Sequence, residues 1–257
     1  MVELYKGLNA IYWIGSTVLV AAVCYVGFYH QQYVMITLGA GFLLCVLLLL
    51  ILGRIAREKF KDEVMFCLYN CRANDYLDRL TSRMGGSRDK TIKSSCAYLT
   101  ALGYDVLGDY EAMKDACLRI TLKVHMSEYH RHMFTYYLSK DNLEFAEQEL
   151  EALRDFAVKR KNFKDKELLE GYVTGCEYAL KFKKSDMEGV EEYYTKMFEE
   201  SKTGPLISRV SFSVILGRIL MQKGDKEKAE KLLKFAAANG GDTKYKVLAE
   251  KALAEPG

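Results

Sequence analysis

In GRILMQKGDKEKAEKLLKFAA, residues 217–237, two runs of helix-forming residues flank Gly224-Asp225. Glycine permits the sharp turn that ends the first run, and aspartate can accept hydrogen bonds from the first free N–H groups of the second. Ala229, four residues past the aspartate, is small enough to let the two helices approach closely. The stretch therefore predicts an antiparallel helix pair.

The pattern recurs upstream. Ser185-Asp186-Met187 leads to Val190, Asp141-Asn142-Leu143 to Ala146, Gly108-Asp109-Tyr110 to Met113 and, more weakly, Asn74-Asp75-Tyr76 to Arg79. Taking Arg79, Met113, Ala146, Val190 and Ala229 as anchors gives spacings of 34, 33, 44 and 39 residues. Large residues four before the turn (Tyr104, Tyr137, Leu220) and four after the anchor (Cys117, Leu150, Tyr194, Leu233) supply contacts within each pair. Ile120, Leu153, Met197 and Ala236 continue the apolar face of the second helix.

With these anchors the chain from about residue 54 to 257 resembles the tetratricopeptide repeat (TPR) family, whose unit is an antiparallel helix pair of 34 residues. The resemblance implies an all-α body, a TPR-like α-solenoid of about four to five helix pairs. Lys181 departs from the pattern in the unit anchored by Val190, and Arg79 replaces the small anchor in the first. Composition agrees with helices throughout, since the body holds only Pro205 and Pro256 and is rich in Ala, Leu, Glu, Lys and Met. A helix from about Thr243 to Glu255 is expected to cap the end of the stack, whose last unit would lack a neighbour. The resemblance also implies a concave, partner-binding surface built from the first helix of each pair, which places Tyr98, Leu102, Asp105, Arg131, Thr135, Tyr172, Phe182 and Arg218 there. The Lys and Asn residues with which some TPR proteins clamp a terminal carboxylate are absent from these positions.

The N-terminal region reads differently. Residues 7–53 contain no Asp, Glu, Lys or Arg in forty-seven positions. A helix needs only about 20 residues to cross the hydrocarbon core, so the run predicts two transmembrane helices, at about 11–29 and 33–52, turning at His30-Gln31-Gln32. The second contains thirteen Leu, Ile, Val or Phe residues, about −4 to −8 kcal/mol toward insertion. Arg54, Arg57, Lys59 and Lys61 follow at once and are expected to meet anionic lipid headgroups. By the positive-inside rule this predicts a multi-pass integral membrane protein with residues 1–53 as a hairpin and both termini and the body cytoplasmic. No cleaved signal peptide is expected, because Met1–Lys6 lacks a basic start and the loop lacks a small-residue cleavage site. Gly39-Ala40-Gly41 offers a small patch for packing within the hairpin or for an oligomer through the membrane helices.

Several functions are disfavoured by what the sequence lacks. There is no phosphate loop ending in Lys-Ser/Thr, no GxSxG elbow and no HExxH helix, so no enzyme and no cofactor is expected. His125, His130 and His132 do not share one helical face, and Cys67 and Cys71 lack the CxxC spacing of a zinc site, so no metal is expected. The five cysteines of the body are an odd, scattered set, a poor disulfide framework and one suited to a reducing compartment. A net charge of only +3 argues against a nucleic-acid partner. The expected function is a non-catalytic, membrane-anchored scaffold or adaptor for protein or peptide partners. The alternative is a regulatory or assembly subunit of a larger membrane complex contacted through the hairpin.

Overall fold

The computed structural model describes residues 15, 18, 22, 25, 34–159 and 163–254, and these fall into two compact units, 1–65 and 66–257. In the first unit Gly15, Val18, Ala22 and Tyr25 are helical, and a helix, α1 (Val34–Phe60), leads into a π-helical turn at Lys61–Met65. The second unit contains α2 (Phe66–Tyr69), α3 (Ala73–Met84), α4 (Lys90–Leu107), α5 (Tyr110–Cys117), α6 (Met126–Ser139), α7 (Leu143–Lys159), α8 (Phe163–Lys183), α9 (Val190–Ser201), α10 (Leu206–Lys223), α11 (Lys226–Asn239) and α12 (Lys244–Ala254). A short 3-10 turn, Lys123–His125, precedes α6. No strand occurs among the described residues.

The expected membrane hairpin is corrected by this structure. Among the described residues no helix is long and apolar enough to cross a membrane. The apolar stretch from Val34 does not form a helix of its own: α1 continues without a break through Arg54, Arg57, Glu58 and Lys59 to Phe60. The proposed first crossing, 11–29, and the loop 30–32 lie outside the described residues except for Gly15, Val18, Ala22 and Tyr25. The assignment to a multi-pass membrane location with a cytoplasmic body falls with the hairpin. Of the expected headgroup contacts, Arg54 and Lys59 are exposed on α1, Arg57 lies on the same helix, and Lys61 opens the π-helical turn.

In the second unit the helix pairs share one turn. The N–H two residues past each left-handed position's predecessor closes the same long bond in every pair: Arg72 to the Cys67 carbonyl, Asp109 to Tyr104, Asn142 to Tyr137, Asp186 to Lys181 and Asp225 to Leu220, at 2.9–3.0 Å. The residue just before each of these is left-handed, with φ of 58° at Cys71, 83° at Gly108, 57° at Asp141, 60° at Ser185 and 87° at Gly224. This is the Schellman arrangement that satisfies the last carbonyls of a helix. Glycine adopts it without steric cost at two of the five turns, whereas Cys71, Asp141 and Ser185 carry a Cβ there.

This shared geometry corrects the register of the first pair. The equivalent of Met113, Ala146, Val190 and Ala229 is Tyr76, whose N–H bonds the Arg72 carbonyl at 3.0 Å and which is fully buried. Arg79 is exposed. Met113, Ala146, Val190 and Ala229 are each 0% exposed, as expected of positions where two helices touch. Gly217 makes the same economy from the other side: an added Cβ would lie 2.8 Å from Leu233.

Successive helices pack side by side, but the array does not end freely at α12. α12 packs back on α4, and α10 packs on α2. Cys71 lies in one apolar cluster with Val210, Val214, Leu233, Ala236 and Ala249. The expectation that the last helix caps an open stack is therefore replaced by closure of the stack on its own beginning. The chemical joint is specific. The second helix of three pairs is capped by its own turn residue: Asp109 accepts from Ala112 N–H at 3.0 Å, Asn142 from Phe145 at 3.3 Å and Asp225 from Lys228 at 3.4 Å. At the matching place in the first pair stands Arg72, which cannot accept. The cap of α3 comes instead from Asp242, whose carboxylate accepts from the N–H groups of Ala73 at 2.6 Å and Asn74 at 2.9 Å, while its own N–H donates to the Cys71 carbonyl at 3.2 Å.

Candidate functional site

The closure turns the expected concave face into an interior. Asp105 on α4 and Lys244 at the start of α12 form an ion pair at 2.6 Å, with only 12% and 14% of their side chains exposed. The second Asp105 oxygen faces Nδ1 of His132 on α6 at 3.5 Å, and His132 is completely buried. Nε2 of His132 accepts from Arg131 at 3.2 Å, because a guanidinium can only donate. Arg131 in turn donates through Nε to Glu128 at 3.0 Å and lies over the Tyr172 ring of α8 at 5.1 Å. The result is a chain of five side chains, Lys244, Asp105, His132, Arg131 and Glu128, with two cations matched to two carboxylates.

The electrostatics follow from that matching. Burial alone would raise the Asp105 carboxyl, but Lys244, His132 and Arg131 hold it well below the usual carboxylate range. Burial would lower Arg131 and Lys244, and the facing carboxylates outweigh it and push both up. His132 shifts down, first through burial and then through the positive Arg131, so it stays neutral. With Nε2 accepting, the ring proton sits on Nδ1 and points to Asp105, too far away for a good hydrogen bond.

Of the eight residues assigned to the concave face, the structure brings Asp105, Arg131 and Tyr172 together here. Tyr98 is adjacent on α4, stacked on His125 at 5.3 Å, while His125 Nε2 meets Ser95 Oγ at 3.0 Å. Thr135 donates to the Arg131 carbonyl within its own helix, and Leu102 is half-buried on α4. Phe182 and Arg218 form a separate cation–π pair between α8 and α10 at 5.5 Å, with Arg218 exposed. In the sequence His132 stands out only as a candidate metal ligand, and neither Glu128 nor Lys244 is assigned to the partner face. Lys244 in particular looks like any lysine in a Lys/Glu-rich helix, and its role depends on a partner 139 residues away.

The other candidate histidines and cysteines serve packing and local contacts. His130 Nδ1 bridges to Glu149 on α7 at 2.6 Å. Burial pushes the Cys71 thiol up to about 11 and those of Cys117 and Cys176 up to about 12, which makes them poor nucleophiles and poor metal ligands. Cys67 and Cys71 are both buried, but Cys71 lies beyond the end of α2 rather than one turn along it. Among the described residues no three His, Cys, Asp or Glu side chains converge as metal ligands.

On the other side of α4 lies a groove of about 770 Å³, bounded by α3, α4 and α5. Met84, Ala97, Tyr104 and Ala116 form its apolar floor, and Lys90, Lys93 and Arg119 stand at its rim. The helix positions that face it, 93, 97, 100 and 104, point about 140° away from 98, 102 and 105 at about 100° per residue. Of these residues the repeat pattern singles out only Tyr104, as a contact within its helix pair.

Comparison with family models, with curated proteins and with solved structures finds no match to this chain.

Proposed function

We propose that the second unit is a non-catalytic protein-interaction scaffold built on TPR-like helix pairs. The observation that carries this reading is the combination of a charge-matched interior with an outward groove that has an apolar floor. Each side chain of the interior chain contacts a neighbour in the same chain, with only His132 Nδ1 lacking a good hydrogen bond. Lys244 and Arg131 are held charged by the facing carboxylates, and burial beside Arg131 favours the neutral form of His132. The TPR-like assignment is supported by the fivefold recurrence of one turn geometry. The groove supplies concave apolar surface of the size at which ligands and peptides are held.

The test is capture with the full-length chain. Crosslinking followed by mass spectrometry should recover a reproducible set of proteins, and the set should shrink for Ala112→Arg, which fills the groove from α5. Recovery of nothing beyond an unrelated control protein would sink the scaffold reading.

A further inference from the structure

The rim of this groove gathers three cations on one apolar floor. Several other cations of the unit reach carboxylates on a neighbouring element: Lys140 meets Glu111 at 2.7 Å, Arg154 meets Glu177 at 2.6 Å, and Lys183, Lys184 and Lys223 meet Asp141, Glu147 and Glu191. Among the described residues Lys90, Lys93 and Arg119 have no such partner, although all three are exposed and line one groove. Among the described lining residues the only carboxylate is Asp115. The floor between the cations is apolar, with Met84 3%, Ala97 7% and Ala116 3% exposed and Tyr104 packed against the α4–α6 core.

We infer that the groove between α3, α4 and α5 binds an acidic, amphipathic peptide segment of a partner protein, with its apolar side chains on the Met84–Ala97–Ala116 floor and its carboxylates against Lys90, Lys93 and Arg119. This rests on the interaction-scaffold reading and assigns its partner chemistry. Charge complementarity selects an acidic partner: three unpaired cations against one carboxylate leave the site with an uncompensated positive potential, which steers and orients an anionic ligand. The floor selects a peptide over a phosphate polymer, because a polyanion has no apolar side chains with which to cover it. The site lies on the side of α4 opposite the face expected to bind partners, and it leaves the interior ion chain undisturbed.

The test uses the full chain and a labelled twelve-residue peptide, acetyl-DELLDEFLDELL-amide, followed by fluorescence anisotropy. An isosteric peptide with Asn and Gln for Asp and Glu serves as the uncharged control. Charge reversal at the rim, K90E/K93E/R119E, changes only exposed side chains, and its folding is checked by circular dichroism and the urea midpoint. Binding of the acidic peptide should weaken about tenfold or more in the variant, and amide exchange should slow on adding peptide to the wild type within residues 84–119. Equal binding of the Asn/Gln peptide, unchanged binding to a folded variant, or equal displacement by a heparin fragment would each overturn the inference. If the variant still captures the same proteins by crosslinking, the groove assignment fails while the scaffold reading stands. If the peptide binds as expected but no protein is ever captured, the groove chemistry stands and the scaffold reading fails.

Discussion

Replacing Asp242 by alanine should destabilise the second unit, and restoring an acceptor at position 72 should recover much of the loss. The carboxylate caps two N–H groups at the start of α3, at 2.6 and 2.9 Å. Losing an N-cap acceptor costs about 0.5–2 kcal/mol, and a negative charge at a helix N-terminus adds about 0.3–1 kcal/mol. Because Asp242 is exposed, the lower half of the summed range applies, about 1–2 kcal/mol. With a urea slope of about 2 kcal/mol per molar, the midpoint should fall by about 0.5–1 M. In the D242A background, Arg72→Asp puts an acceptor where Asp109 and Asp225 cap their own helices. It gives up only the exposed Arg72–Asp75 pair, worth at most about 0.5 kcal/mol. Urea unfolding by far-UV circular dichroism should therefore show about 1 kcal/mol regained in R72D/D242A relative to D242A. If R72D is as damaging in the D242A background as in the wild type, the cap is not what the aspartate contributes, and the reasoning fails.

Other outcomes follow from the interior. Lys244→Met strands Asp105 with 12% exposure, which should cost about 3 kcal/mol and raise the pH of acid unfolding, while D105L/K244M should cost less than K244M alone. His132 is lowered below its ordinary value, so it stabilises the fold above the unfolded value near 6.5 and that contribution is lost as pH falls toward the folded value. Stability measured by urea midpoint should thus start to decline below about pH 6.5 in the wild type and stay flatter in His132→Gln. At pH 8, Cys117 and Cys176, pushed up to about 12, should be alkylated roughly a thousandfold more slowly than an unfolded-chain cysteine. Peptide mapping by mass spectrometry after timed iodoacetamide treatment reads those rates directly.

Local features were legible wherever the signal is local. Gly108-Asp109 and Gly224-Asp225 announce turn and cap in adjacent residues, and both perform as their chemistry requires. The anchors Met113, Ala146, Val190 and Ala229 are buried because small or flexible side chains at a fixed offset from the turn sit where two helices meet. Register failed in the first pair, where Cys71-Arg72 carries neither glycine nor an acceptor and Asn74-Asp75 three residues later imitates the pattern. The long charge-free run failed for a different reason, since absence of charge does not fix where a helix stops, and α1 runs on through Arg54 to Phe60. The interior ion chain was half visible. Asp105, Arg131 and Tyr172 follow from position on the first helices, but Lys244 enters only through closure, which no periodicity encodes.

That closure also limits what the architecture can become. An open helical array can gain or lose a unit at its ends, because each unit meets only its neighbours. Here the first pair has given up its own cap and takes one from Asp242, across 169 residues of chain. Duplicating or deleting an internal pair would carry Asp242 away from α3 and Lys244 away from Asp105 in a single step. The number of pairs is thereby locked, and divergence is left to work on the outer faces of the helices rather than on their count.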